Sequence, residues 1–135
     1  MALQYSVTLR NNQLDQIETT LGTTPHLRIY TGTPPADTAT AASGTLLADM
    51  TLPSDWMAAA SSGSKAKSGT WQDASADGTG TAGYWRLWDS TVTTCHAQGT
   101  VTGTGGGGDM ELDNTSISTG QSVTISTFTI TAANA

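Results

Sequence analysis

The run Thr81-Ala82-Gly83-Tyr84-Trp85-Arg86-Leu87-Trp88-Asp89 is the densest aromatic stretch in a chain otherwise built of small and hydroxylated residues. Side chains of an extended segment alternate between faces, which sets Tyr84, Arg86 and Trp88 on one side and Trp85 and Leu87 on the other. Large side chains on both faces describe a central strand covered above and below. Aromatic rings bury roughly 150–250 Å² each, so this strand can supply a large share of a sparse core. Downstream, Ser90-Thr91-Val92-Thr93 reads as a turn and Cys95-His96-Ala97-Gln98-Gly99-Thr100-Val101 as the returning strand, which predicts a hairpin.

Further along, Gly103-Thr104-Gly105-Gly106-Gly107-Gly108 is a loop of maximal backbone freedom. Asp109-Met110-Glu111-Leu112-Asp113 alternates, with Met110 and Leu112 inward and three carboxylates outward. Ser118-Thr119-Gly120-Gln121 is a turn. The last strand carries Val123 and Ile125, then Phe128 and Ile130; this change of parity predicts a bulge near Ser126-Thr127.

Upstream, residues 6–21 carry the helix signal. Leu3, Val7, Leu14, Ile17 and Leu21 fall on one apolar stripe, with Ser6 placed to cap the start and Gly22 to end it. Such a helix either lies across a sheet or serves as an arm docking on a neighbouring subunit. His26-Leu27-Arg28-Ile29-Tyr30 reads as the first strand, ended by Pro34 and Pro35. Residues 36–44 form a small-residue loop, and 45–52 a second strand stopped by Pro53. Ser54-Asp55 is placed to cap a single helical turn through Ala60. Residues 61–68, with Lys65 and Lys67, read as a flexible exposed loop. Gly69 to Ser75 is a third strand with Trp71 inward, and Asp77-Gly78-Thr79-Gly80 turns into the aromatic run. The expectation is one domain over 1–135, a mainly β antiparallel β-sandwich over 26–135 with an N-terminal α-helical segment over 1–22.

Composition narrows the function. Charged residues make up 12% of the 135, Gly occurs 15 times, and the net charge is −6. The five basic residues are scattered, leaving no basic stripe for phosphates, so direct nucleic-acid binding is not expected. The single cysteine excludes an internal disulfide and fits assembly in a reducing cytoplasm. No run has the length of a membrane span, and Met1 to Tyr5 lacks a signal peptide's basic and apolar regions.

Reactive constellations are thin. Cys95 and His96 are strand neighbours and point to opposite faces, which forbids a shared metal or a nucleophile–base pair. Asp109, Glu111 and Asp113 read as a solvated edge or as a cation site; their spacing matches no calcium-loop motif. The glycine run lacks the Lys-Ser/Thr that follows it in a phosphate loop. Trp56, Trp71, Trp85 and Trp88 either fill the core or offer a surface platform for a sugar or a protein. Neither a catalytic residue nor a cofactor is expected.

Several segments together resemble a family of small virion proteins of tailed bacteriophages. The likeness is carried by Leu14-Asp15-Gln16-Ile17-Glu18-Thr19-Thr20-Leu21-Gly22, Leu27-Arg28-Ile29-Tyr30-Thr31-Gly32 and Leu52-Pro53-Ser54-Asp55-Trp56-Met57. It continues through Gly69-Thr70-Trp71-Gln72-Asp73, Gly80-Thr81-Ala82-Gly83-Tyr84-Trp85-Arg86 and Gly120-Gln121-Ser122-Val123-Thr124-Ile125, nearly the whole chain. The resemblance implies a structural, non-enzymatic part of the particle, foremost a capsid decoration or cement protein. Its implied partners are the major capsid protein and copies of itself, with a trimer as the first expectation. A neck, tail or tail-fibre-associated component and a glycan-binding module on the particle are the other readings. Candidate contact residues are Leu3, Tyr5, Val7, Leu14, Ile17, Trp56, Lys65, Lys67 and Trp88, with the termini and the loops over 36–44 and 61–68.

Overall fold

The computed structural model describes residues 2–132. One helix, α1 (Val7–Leu21), precedes ten strands: β1 (His26–Thr31), β2 (Leu46–Thr51), β3 (Ser64–Ala66), β4 (Trp71–Asp73), β5 (Gly80–Trp88), β6 (Cys95–Gly103), β7 (Met110–Leu112), β8 (Ser116–Ile117), β9 (Val123–Ile125) and β10 (Thr129–Thr131). The fold is mainly β with a single helix. The main sheet runs β2-β1-β5-β6-β7, with β8 joined to the start of β5; β3 pairs with β10 and β4 with β9.

β5 is the centre of this arrangement. It pairs antiparallel with β1 on one side (Ile29 opposite Trp85, Tyr30 opposite Tyr84) and with β6 on the other (Trp85 opposite Gly99). Alternation places its residues as the sequence requires: Trp85 and Leu87 enter the core, while Tyr84 and Arg86 are equally buried on the opposite face. Gly83 has a steric reason, since a Cβ there would sit 1.9 Å from the Gly32 carbonyl oxygen. On the core side, Trp56, Trp71, Phe128 and Trp85 form a chain of rings with centroids 5.4–6.0 Å apart. That chain ties β4 and the segment before β10 to the main sheet, at spacings where aromatic pairs contribute beyond their area.

The outer face of β5 is covered by residues 32–44, which form a strap rather than the expected free loop. Tyr84 stacks on Tyr30 (5.0 Å), and its hydroxyl donates to the Ser43 carbonyl and accepts from the Ser43 N–H. Arg86 Nη2 donates to the Thr38 carbonyl (2.7 Å) and Gln98 Nε2 to the Pro35 carbonyl (2.7 Å). Asp37 stiffens the strap by accepting from the N–H and hydroxyl of Thr40.

Other expectations are corrected. Ser54 to Ala60 forms no helical turn. Residues 61–68 are ordered by a two-residue hairpin: Ser61 and Ser64 exchange both backbone hydrogen bonds around Ser62 (φ 53°) and Gly63 (φ 74°), as in a type I′ turn, and β3 follows. The final apolar run is not one bulged strand. It breaks between β9 and β10, and the two halves pair with different partners, β4 and β3. β7 lies parallel to β6, so the sheet is not antiparallel throughout. Parallel neighbours ordinarily need a crossover of a dozen or more residues; here 104–109 alone makes the return. The glycine run permits it, with Gly105 and Gly107 at φ near +80° and no room at Gly106 or Gly108, where a Cβ would lie 2.7 and 2.9 Å from Thr102. The run is a tight reversal rather than slack.

Candidate functional site

Helix α1 starts where Ser6 accepts the Leu9 N–H and ends where Gly22 takes φ 76°. Its apolar stripe is divided. Leu14 and Leu21 are buried and Ile17 packs against the core, whereas Leu3 (70% exposed), Tyr5, Val7 (47%) and Leu9 (44%) stand at the surface. These four are the exposed large hydrophobics of the described residues.

What fastens the helix was not legible as a pair in the sequence. Lys65 on β3, expected in an exposed loop, has a wholly buried side chain whose ammonium donates to Asp15 Oδ1 (2.7 Å), Glu18 Oε2 (2.9 Å) and the Ala58 carbonyl (2.8 Å). All three of its donors are used. Burial works against the Lys65 charge, but the hydrogen bonds to Asp15 and Glu18 outweigh it and hold the pKa above the usual lysine value. The bond from Lys65, with a second from the Ala60 N–H, holds the Asp15 carboxyl below its usual range. Asn11 and Arg10 add bonds to the Gly63 N–H and the Ala132 carbonyl.

Several contact candidates are thereby removed from the surface. Leu14 and Lys65 are buried under the helix, and Trp56 is enclosed with its indole N–H on the Gly22 carbonyl (3.0 Å). Lys67 is half-buried, donating to the Gly69 carbonyl beside the Trp71 ring. Trp88 is half-buried with the Arg86 guanidinium 5.0 Å from its ring centre. Leu3, Tyr5 and Val7 stay exposed. The C-terminal end, residues 133–135, lies outside the described residues.

The polar candidates also have local partners. Asp109 accepts from the N–H and hydroxyl of Thr100, and Glu111 accepts from the Gly105 and Gly107 N–H groups, clasping the glycine turn. Asp113 is exposed, and among the described residues no group of three or more His, Cys, Asp or Glu side chains is placed to hold a metal. Cys95 is buried and His96 exposed, on opposite faces. Burial pushes the Cys95 thiol up, although Arg86 Nε donates to its sulfur (3.1 Å). At the other end of the outer face, Asp49 accepts from His26 at Oδ1 (2.6 Å) and from Arg28 Nε and Nη2 at Oδ2 (2.9 and 2.8 Å). Burial, with Asp73 and Asp49 nearby, raises the Asp77 carboxyl.

One concavity has no counterpart in the sequence reading. A cleft of about 670 Å³ separates α1 from β6 and β10. Gln13, Gln16, Ile17 and Thr20 form one wall, His96, Ala97, Gln98 and Asp109 the other, and Trp85, Phe128 and Ile130 the apolar floor. No described helix is long and apolar enough to cross a membrane. Compared with protein-family models, with curated proteins and with solved structures, the chain matches none.

Proposed function

We propose that this protein is a structural component of a tailed-bacteriophage particle, foremost a decoration or cement protein bound to the major capsid protein lattice and stabilising the head. It is made in the host cytoplasm, ends on the capsid surface as one β-sandwich domain, and works by contact rather than by catalysis. The observation that carries this reading is the run of exposed apolar residues Leu3, Tyr5, Val7 and Leu9 in a chain whose other described large apolar groups are buried or half-buried. Grouped apolar residues at the surface mark places where proteins meet. Small contacts of this kind become firm when many copies sit at fixed spacing on one shell. The sandwich reading is supported by the ring chain, which ties Trp71 of β4 and Phe128 before β10 to Trp85 of the main sheet.

The sugar reading is weakened by burial. Trp56, Trp71 and Trp85 point into the core, leaving Trp88 as the remaining ring for a platform. The test is a cryo-EM map of intact particles. Copies numbering in the hundreds on the shell support decoration; six, twelve or a few dozen at one vertex move the protein to the neck or tail; particles without it refute a virion role.

A further inference from the structure

We propose that the cleft between α1, β6 and β10 is a binding site for a neutral sugar ring, one of whose hydroxyls is held between Trp85 Nε1 and Asp109. Gly99 stands opposite Trp85, and a Cβ there would lie 2.8 Å from Trp85 Cζ2, 2.9 Å from its Cε2 and 2.8 Å from Asp109 Oδ2. The indole therefore crosses β6 over a residue without a side chain, and its edge approaches the Asp109 carboxylate. Cε2 is bonded to Nε1, so this edge carries the one donor of the ring. Trp85 is 5% exposed, and its Nε1 is buried without a hydrogen-bond partner among the described residues. Both Trp85 and Asp109 line the cleft. A buried donor left unmade is costly, and the great majority of such groups have a partner. Thr100 occupies Asp109 at Oδ2 with its N–H and its hydroxyl, which leaves Oδ1 to accept from elsewhere. A hydroxyl set between the two accepts from the indole and donates to the carboxylate.

The rest of the lining narrows the ligand. Phe128 and Ile130 lie beside Trp85 in an apolar floor. The walls are amides and hydroxyls, Gln13, Gln16 and Thr20 from the helix and Thr129 and Thr131 from β10, groups that both donate and accept. No lysine or arginine is among these described lining residues, so a phosphate or carboxylate would enter beside Asp109 without a counter-charge. A purely apolar ligand would leave the Trp85 donor unmade. What fits is an uncharged ring with a C–H face for the floor and a girdle of hydroxyls for the walls. The volume of about 670 Å³ lies within the roughly 300–1,000 Å³ of ligand pockets, with room for such a ring. A platform on Trp88 would need an exposed ring face, whereas this cleft uses the edge of a ring that is otherwise enclosed. The site does not depend on the virion reading, which is tested on particles.

Heteronuclear NMR of the full-length protein follows the indole N–H signals of its four tryptophans, assigned through the backbone. Glucose, galactose, mannose, rhamnose and N-acetylglucosamine are titrated separately, with glucuronate and benzene as the charged and the apolar probe. The expected result is a saturable shift of the Trp85 indole signal with one or more of the sugars, at a Kd of about 1–10 mM for ordinary ligand efficiency. The backbone signals of Ala97 and Ile130 move with it, and Trp88 does not. Glucuronate and benzene bind about tenfold more weakly than the best sugar, or not at all. The double variant Gln13→Ala, Gln16→Ala changes two exposed positions where alanine keeps the helix, and its affinity falls about tenfold. A Trp85 signal unmoved by every sugar overturns the proposal. So does a shift confined to Trp88, a preference for glucuronate or benzene, or undiminished affinity in the double variant.

Discussion

Lys65 offers the sharpest test of how the helix is held. Lys65→Ala removes the three side-chain methylenes beyond Cβ from a fully buried stem, at about 0.8 kcal/mol each. It also strips the Ala58 carbonyl of its donor, for about 1 kcal/mol more. Asp15 and Glu18 keep access to water and rehydrate, so their release adds little. The expected loss is about 3–4 kcal/mol, or roughly 10–14 °C in Tm for a chain of this size. Lys65→Met keeps the stem and is expected to lose about 1 kcal/mol. Urea unfolding of the three proteins measures this, and hydrogen exchange places the loss in α1. The pH profile adds a second check. The raised Lys65 pKa gives stability that is present below the unfolded value of about 10.4 and lost as pH rises through the folded one. The lowered Asp15 pKa gives stability present above about 3.9 and lost as pH falls through the folded value. The deficit of Lys65→Ala is therefore flat between these limits and shrinks beyond them. A deficit below 1 kcal/mol, or Lys65→Met matching Lys65→Ala, refutes the reasoning.

Other outcomes are equally definite. Gly83→Ala, which drives a Cβ into the Gly32 backbone, is expected to cost about 3 kcal/mol or more by thermal unfolding. Gly103→Ala, which meets nothing within 4 Å, stays within about 0.5 kcal/mol of the parent. Val92 is a β-branched residue at φ 54°, so Val92→Gly raises stability by about 0.5–1 kcal/mol in urea unfolding. The Cys95 thiol, buried and pushed up in pKa, reacts with a disulfide reagent at pH 8 about a hundredfold or more slowly when folded than in denaturant; rates within tenfold count against its enclosure. Asp77 has its pKa raised by burial and by Asp73 and Asp49, so its charge opposes folding at neutral pH and stability rises as pH falls through that pKa. Asp77→Asn is accordingly more stable at pH 7, by about a few tenths of a kcal/mol given its exposure.

The sequence carried the elements whose signal is local. Ser6 and Gly22 bounded the helix within one residue, and the two faces of Tyr84 to Trp88 were separated by alternation alone. It was silent where a distant partner decides. Lys65 looks solvent-facing among serines because Asp15 and Glu18, which draw it inward, lie about fifty residues upstream on another element. Ser61-Ser62-Gly63-Ser64 did contain a hairpin signal in its Ser-Gly pair, but no apolar run flanks it to announce strands. The parity change before Phe128 was real; periodicity registers that a segment shifts, not that its halves join different sheets. The cleft was invisible for a related reason. Its floor comes from β5 and the β10 segment and one wall from α1, and nothing in one stretch says that β7 stops short of Ala97.

The central place of β5 bears on how the chain comes into being. β1 finds one of its two neighbours only when residues 82–88 exist, the strap waits for Tyr84, Arg86 and Gln98, and β5 itself closes late through Ile117. A ribosome releasing this polypeptide therefore emits an N-terminal half with an unsatisfied sheet edge, and assembly is slow in the way non-local pairings are slow. Nascent chains stalled before residue 88 are open to protease along their length, and resistance arrives in one late step.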